Sequence, residues 1–408
     1  MNLLRWVVIA AVSVALGVAV VQYLVAPPLD MALWLLAVVG MAVGLVLLVV
    51  IALRGRARLL AVGVIAIGVL VGYLGTTYAF LGTEEERDLP ELAVPPPDRR
   101  DHTAVIYFTH GEPSAYSPLP WLETFRELDA DGVSFIPAPF RPFFFLSFRE
   151  EYLKVGGSPH NYVHQAMAGS LEQAFRAEGD ELTRFYMAFL DSNPRPDEAV
   201  IRALNDGARE LIFATVFVTI SSHTKAGQEM VEELGLDQYG VPTCYSEPLW
   251  NSTTLHSMFV ARADQNLGGT DRSRVGVLLV GHGQPDDWDR IYPTQTEQEL
   301  LFRQSITDDL VADGYTRENI SLAWMEFKEP AIQEAVQSLV NRGVEKLLVF
   351  ATSISASSLH SLYDIPEEVR ASGVPEGVEV VNLGAWDDDP IVIRAIKERV
   401  DSCRSATR

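Results

Sequence analysis

Three uncharged apolar runs lead the chain, Trp6–Val25, Met31–Leu53 and Leu59–Leu81. Each is long enough to cross a hydrocarbon core of about 30 Å as a helix, and a helix satisfies its own backbone polar groups, as lipid demands. They predict three transmembrane helices. For the first run the alternative is a cleaved signal peptide, but its apolar core is too long and no small-x-small site precedes "APPLD". From Thr83 to Asp101 the pattern turns charged and Pro-rich, which predicts an extended, solvated linker. Beyond it, short apolar runs bounded by Gly or Pro alternate with segments of helical periodicity. "TAVIYF", "RFYMAFL" and "ELIFATVFVTI" predict strands, as do "RVGVLLV", "ISLAWM" and "KLLVFATSI". Helices such as "NYVHQAMAGSLEQAFRA" and "AIQEAVQSLVNRG" lie between them, so the fold class is α/β with open, doubly wound parallel sheets.

The strand pattern occurs twice. "HGEP" at His110 matches "HGQP" at His282, and "MAFLDSNPRPDEAV" matches "LAWMEFKEPAIQEAV". "FATVFVTISSH" ends at His223 and "FATSISASSLH" at His360. The expected organisation is a membrane anchor (1–82), a linker (83–101) and two duplicated halves (102–265 and 266–408) facing one cleft. Each half sets a His, a carboxylate and a second His after successive strands: His110, Asp191 and His223, then His282, Glu326 and His360. Ligands of parallel α/β sheets bind outside the carboxyl ends of the strands, where all six residues fall. A lone His at such a place is more often structural; two matching sets point to a site.

Charge narrows the function. The formal net charge is −22, and the first 82 residues hold only Asp30 against Arg5, Arg54, Arg56 and Arg58, so the body is more acidic still. Such a surface repels nucleic acid, which is excluded as a partner. The arginines near the span ends, above all "RGRAR", place the N-terminus inside and the body outside the cytoplasm. Cys244 and Cys403 are too few for an iron–sulfur cluster. They are expected as ordinary buried thiols, or as a pair if the body is extracytoplasmic.

At these motifs the chain resembles the class II tetrapyrrole chelatases, which comprise ferrochelatase and the small cobaltochelatases that load sirohydrochlorin. "LLVGHGQPDD", "EPAIQEAVQSLVNRGVEKLLVFATSISASSLHSLYDIPEEV" and "AWDDDPIVIRAI" are similar to the second half of ferrochelatase, and "YLKVGGSPHNYVHQ" to its first-half "GGSP" region. One position departs from that pattern. Where ferrochelatase carries a catalytic Glu just ahead of "LYEI", this chain has His360, two residues before "LYDI"; "HSLYDIP" instead resembles the cobaltochelatase pattern. The resemblance implies two duplicated chelatase-like halves and insertion of a divalent metal into a tetrapyrrole, with His282, Glu326 and His360 as catalytic and metal-handling groups. Metal insertion expels two pyrrole N–H protons, so a base such as His282 is needed. Glu326 and His360 suit a metal that must be released, whether Fe, Co, Ni or Zn. The resemblance further implies that His110, Asp191 and His223 are either a second site or a relic of duplication, the latter favoured.

"PFRPFFFLSFREEY" (Pro139–Tyr152) has two readings. Arg141, Phe143, Phe144, Phe145, Phe148 and Arg149 form either a lip that grips a macrocycle or dips into membrane lipid, with the arginines on propionates, or a buried core segment. The acidic body suits a porphyrin better than the many-carboxylate sirohydrochlorin. The rival to catalysis is a heme, tetrapyrrole or metal carrier using the same cleft.

Overall fold

The computed structural model describes residues 3–84, 87–130, 132–133 and 136–406. The three apolar runs are helices α1 (Leu3–Val25), α2 (Pro28–Ala52) and α3 (Arg56–Leu81), all long and apolar enough to cross a membrane. α1 and α3 pack backbone to backbone: a Cβ on Gly72 would lie 2.1 Å from the Val14 carbonyl oxygen, the close approach that small residues permit between membrane helices. Arg58 turns back onto the carboxyl end of α2, with Nε 2.9 Å from the Leu53 oxygen, where a cation complements the helix dipole.

Two compact units divide the chain, one of residues 1–87 with 115–157, the other of 88–114 with 158–408. Residues 115–157, expected within the first half, thus cluster with the long helices. They form α4 (Leu119–Ala130) and α5 (Arg141–Val155). Of the expected linker, residues 85 and 86 lie outside the described residues.

The second unit holds two parallel sheets of four strands each. The first contains β1 (His102–Thr109), β2 (Thr183–Phe189), β3 (Ala208–Thr215) and β4 (Thr243–Tyr245) in the order β2-β1-β3-β4. The second contains β5 (Val275–Gly281), β6 (Ile320–Trp324), β7 (Lys346–Ala351) and β8 (Glu379–Gly384) in the order β6-β5-β7-β8, the same topology. Helices α6 (His160–Ala177), α7 (Pro196–Asn205), α8 (Ser222–Glu232) and α9 (Thr253–Gln265) lie among and after the first set of strands in chain order. α10 (Asp286–Ile291), α11 (Pro293–Ala312), α12 (Ile332–Asn341), α13 (Ile365–Ala371) and α14 (Pro390–Ala406) lie among and after the second set of strands in chain order, and α9 packs on α11 and α14. β1 and β5 are buried along their whole length, as central strands covered on both faces must be.

One core joins the halves, with Val105, Tyr107 and Ile212 of the first and Val277, Leu279 and Phe350 of the second in a single buried cluster. α14 packs back on β3, β4 and α6. That return brings Cys403 to Cys244, and the two form a disulfide, Cα to Cα 5.8 Å. This corrects the expectation of buried thiols: a contact 159 residues apart in sequence is made by the last helix crossing onto the first sheet.

Candidate functional site

The strand register makes the duplication explicit. Thr109 pairs with Phe189, His110 follows the first and Asp191 lies two beyond the second. Gly281 pairs with Trp324, His282 follows the first and Glu326 lies two beyond the second. The backbone repeats the match, Leu190 N donating to Thr109 O and Met325 N to Gly281 O, both at 2.9 Å. His110 and His282 therefore occupy equivalent strand ends.

The glycine after each His is explained by a neighbouring backbone. At Gly283, φ is +86° and an added Cβ would sit 2.2 Å from Glu326 O; at Gly111 it would sit 2.8 Å from Ser192 N. Glu326 N in turn donates to His282 O at 3.1 Å. Phe327 takes a left-handed φ of 62°, closing a turn in which Lys328 N donates to Glu326 O at 2.8 Å. The backbone of Glu326 is thus held against that of His282. Glu299 on α11 holds the other side, its buried carboxylate accepting from His282 N at 3.3 Å and Gly283 N at 3.2 Å. Arg303, one turn on and fully buried, lies 3.8 Å from the centre of the Trp324 ring. Burial pushes its pKa down to about 10 against the favourable charge of Glu299.

The two second-half imidazoles meet edge to face with centroids 5.7 Å apart. His282 Nδ1 lies 2.8 Å from Gly283 O, and His360 Nδ1 lies 2.7 Å from Asp364 Oδ2. A carbonyl and a carboxylate only accept, so each Nδ1 carries the proton and each Nε2 is left for a proton or a metal. This is the outer support that metal-binding histidines ordinarily have. His360 opens a π-helical turn, His360–Asp364, that leads into α13. Burial would lower its pKa, but the hydrogen bond to Asp364 and the charges of Asp364, Glu326 and Glu112 outweigh burial and raise it to about 9. Among the described residues no three His, Cys, Asp or Glu side chains close around one point.

The first-half set lies against the second. His110 Nε2 is 3.1 Å from Asp191 Oδ2, and the His110 and His223 rings are 5.1 Å apart. Burial first, then the charges of His110 and His282, lowers the His223 pKa to about 3. Two histidines that sequence reasoning passed over extend the row: His160 lies 6.3 Å from His110 and 4.6 Å from His164, ring to ring. Six of the chain's eight histidines thus form one group. Their chemistry differs by support, for His164 spends both nitrogens on the hydroxyls of Tyr107, Thr109 and Ser355.

The aromatic stretch belongs to the other unit. Arg141 is buried, pairs with Asp129 and lies 4.6 Å from the Phe125 ring centre. Arg149 is buried and donates to Tyr23 O at 2.7 Å and Ala26 O at 2.8 Å, at the end of α1. Phe145 and Phe148 are buried, Phe144 stacks on Phe148, and Phe143 is half exposed beside Tyr73.

The ferrochelatase family model matches residues 102–403. A ferrochelatase of Rippkaea orientalis is 24% identical over 272 residues, spanning 62% of this chain and 67% of that protein. A coproporphyrin III ferrochelatase of Mycobacterium sp. is 24% identical over 281 residues, spanning 63% and 78%. Among solved structures, SirB from Bacillus subtilis with Fe3+ matches with a TM-score of 0.50 at 14% identity, covering 75% of this chain and 97% of that one. The two parallel sheets are the chelatase fold, the relatives support a metal-chelatase kind of activity, and the chain belongs to the ferrochelatase family.

Proposed function

We propose that this is a membrane-anchored chelatase that inserts a divalent metal into a porphyrin-type macrocycle. The observation that carries the reading is the pair His282 and His360, each with Nδ1 committed to an acceptor and Nε2 left over, beside Glu326. In this scheme Glu326 and His360 receive the metal as substrate, His360 giving up its proton as the metal arrives. His282 Nε2 takes a proton from a pyrrole nitrogen, that N–H bond breaking as the nitrogen's electron pair turns to the metal, and the second pyrrole proton leaves by the same base after the first has passed to solvent. The Rippkaea orientalis relative is named a ferrochelatase and the Mycobacterium relative a coproporphyrin III ferrochelatase; imidazole with carboxylate accommodates Fe, Co, Ni and Zn alike.

The body is assigned to the extracytoplasmic side. The Cys244–Cys403 disulfide supports this, since such bonds persist in oxidising compartments, and so does the basic loop between α2 and α3. The test is spectroscopic: full-length protein in detergent, Fe, Co, Ni or Zn, and either a porphyrin or sirohydrochlorin. Insertion converts the free-base absorption bands to those of the metal complex, and His282→Ala abolishes the conversion while the melting temperature holds. Binding of metal and macrocycle with no conversion in the wild-type protein makes it a carrier.

A further inference from the structure

The residue two places after each strand-end His breaks the symmetry of the halves. In the second half it is Gln284, buried and bonded within its own half, with Nε2 donating to Asp289 Oδ1 at 2.7 Å and Tyr292 O at 2.9 Å. In the first half it is Glu112, which crosses to the other half. Its Oε1 accepts from Leu359 N at 3.1 Å, the amide immediately before His360. Its own N–H is held by Asn161 Oδ1 at 2.9 Å, and Ser158 donates to its carboxylate. The carboxylate is thereby fixed between the two histidine sets, within electrostatic reach of both His360 and His110. His360 in turn feels three carboxylates: Asp364 on its own turn, Glu326 from the loop after β6 and Glu112 from the loop after β1.

We propose that Glu112 is a further metal-site residue, a carboxylate supplied by the first half whose negative charge beside His360 determines how tightly the divalent metal is held. The inference rests on the function proposed above. A dipositive ion on neutral imidazoles and Glu326 keeps a net charge, and in a partly desolvated cleft an uncompensated charge is unfavourable. Glu112 is placed to balance it, and the hydrogen bond to Leu359 N stops the carboxylate turning away.

Charge and position are separable here. In Glu112→Gln the amide oxygen still accepts from Leu359 N but the charge is gone; in Glu112→Asp the charge stays and the reach shortens. Co2+ is the probe, titrated into full-length protein in detergent and followed by its ligand-field absorption, with thermal melting run alongside. Glu112→Gln is expected to weaken Co2+ binding at least tenfold, the loss ordinarily seen when a group supporting a metal site is removed, at an unchanged melting temperature. Glu112→Asp is expected to stay within a few-fold of wild type. Wild-type affinity in Glu112→Gln, or equal losses in both variants, overturns the proposal. His282→Ala separates the two levels: if it binds Co2+ as wild type does, the metal site itself is misassigned; if it loses binding while Glu112→Gln keeps it, only the role of Glu112 falls.

Discussion

The disulfide gives the most direct quantitative test of the fold. Cys244 lies on the short edge strand β4 and Cys403 near the end of α14, and the bond closes a loop across a sequence separation of 159. In the chain-entropy account, opening a loop of that length releases denatured-state entropy equivalent to roughly 5 kcal/mol at 25 °C. For a body of this size, 1 kcal/mol corresponds to about 2–4 °C in melting temperature, so loss of the bond is expected to lower the melt by about 10 °C or more. The perturbation is Cys403→Ser in the full chain, with the double variant Cys244→Ser/Cys403→Ser to exclude damage from a stray thiol. Melting in detergent is followed by near-ultraviolet circular dichroism with and without a reductant. Wild type plus reductant, the single variant and the double variant should melt together, well below oxidised wild type. Coincident melts for all four samples would refute the bond and with it the docking of α14 across the first sheet.

Three further outcomes follow from the site. With the His360 pKa raised to about 9, a metal bound there as proposed displaces a proton; Co2+ affinity should then rise by close to tenfold per pH unit between pH 6 and 8, and His360→Gln should flatten that slope. His160 and His223 are kept neutral, burial first and neighbouring histidine charge second lowering each pKa to about 3. Below the unfolded value of about 6.5 the unfolded chain takes up protons that the native one refuses, so stability falls with pH and each group costs about 2 kcal/mol by pH 5; urea unfolding at pH 7.5 and pH 5 should show His160→Gln losing less than wild type, and an identical loss would contradict the assignment. Gly283→Ala puts a Cβ against Glu326 O at a left-handed φ, a strain of roughly 1–3 kcal/mol; insertion should fall more than tenfold as Glu326 is pushed from His282, measured by the same absorption change.

Much of this was legible in the chain because duplication and periodicity are local signals. Strand ends, the paired motifs at His110 and His282, and the three apolar runs each declare themselves within a short window. What stayed hidden depends on which side of an element faces inward after folding. Glu299 and Arg303 read as the charged face of an ordinary surface helix, yet they are buried against the His282 loop and Trp324. Glu112 differed visibly from Gln284 in "HGEP" and "HGQP", but nothing local says that its carboxylate reaches Leu359, 247 residues on. The aromatic run hides its own grouping in the same way: Phe143, Phe144 and Phe145 point to successive sides of a helix, and only the packing of α5 on α1 decides which of them is buried.

The duplicated positions also explain why the halves need not do equal work. Four residues after His360 stands Asp364, whose carboxylate fixes the imidazole. Four residues after His223 stands Gly227, and a Cβ there would fall 2.2 Å from the Phe108 ring. Phe108 lies two residues before His110, where the second half has the smaller Val280 before His282. The large ring therefore takes the space a supporting carboxylate would need. His223 is left with Nδ1 buried and without a hydrogen-bond partner among the described residues, so neither its tautomer nor its ring orientation is pinned from behind. That one exchange, Phe108 with Gly227 against Val280 with Asp364, leaves a carboxylate behind the His360 ring and none behind that of His223, so of the two duplicated imidazoles only His360 has the outer partner on which the proposed metal site depends.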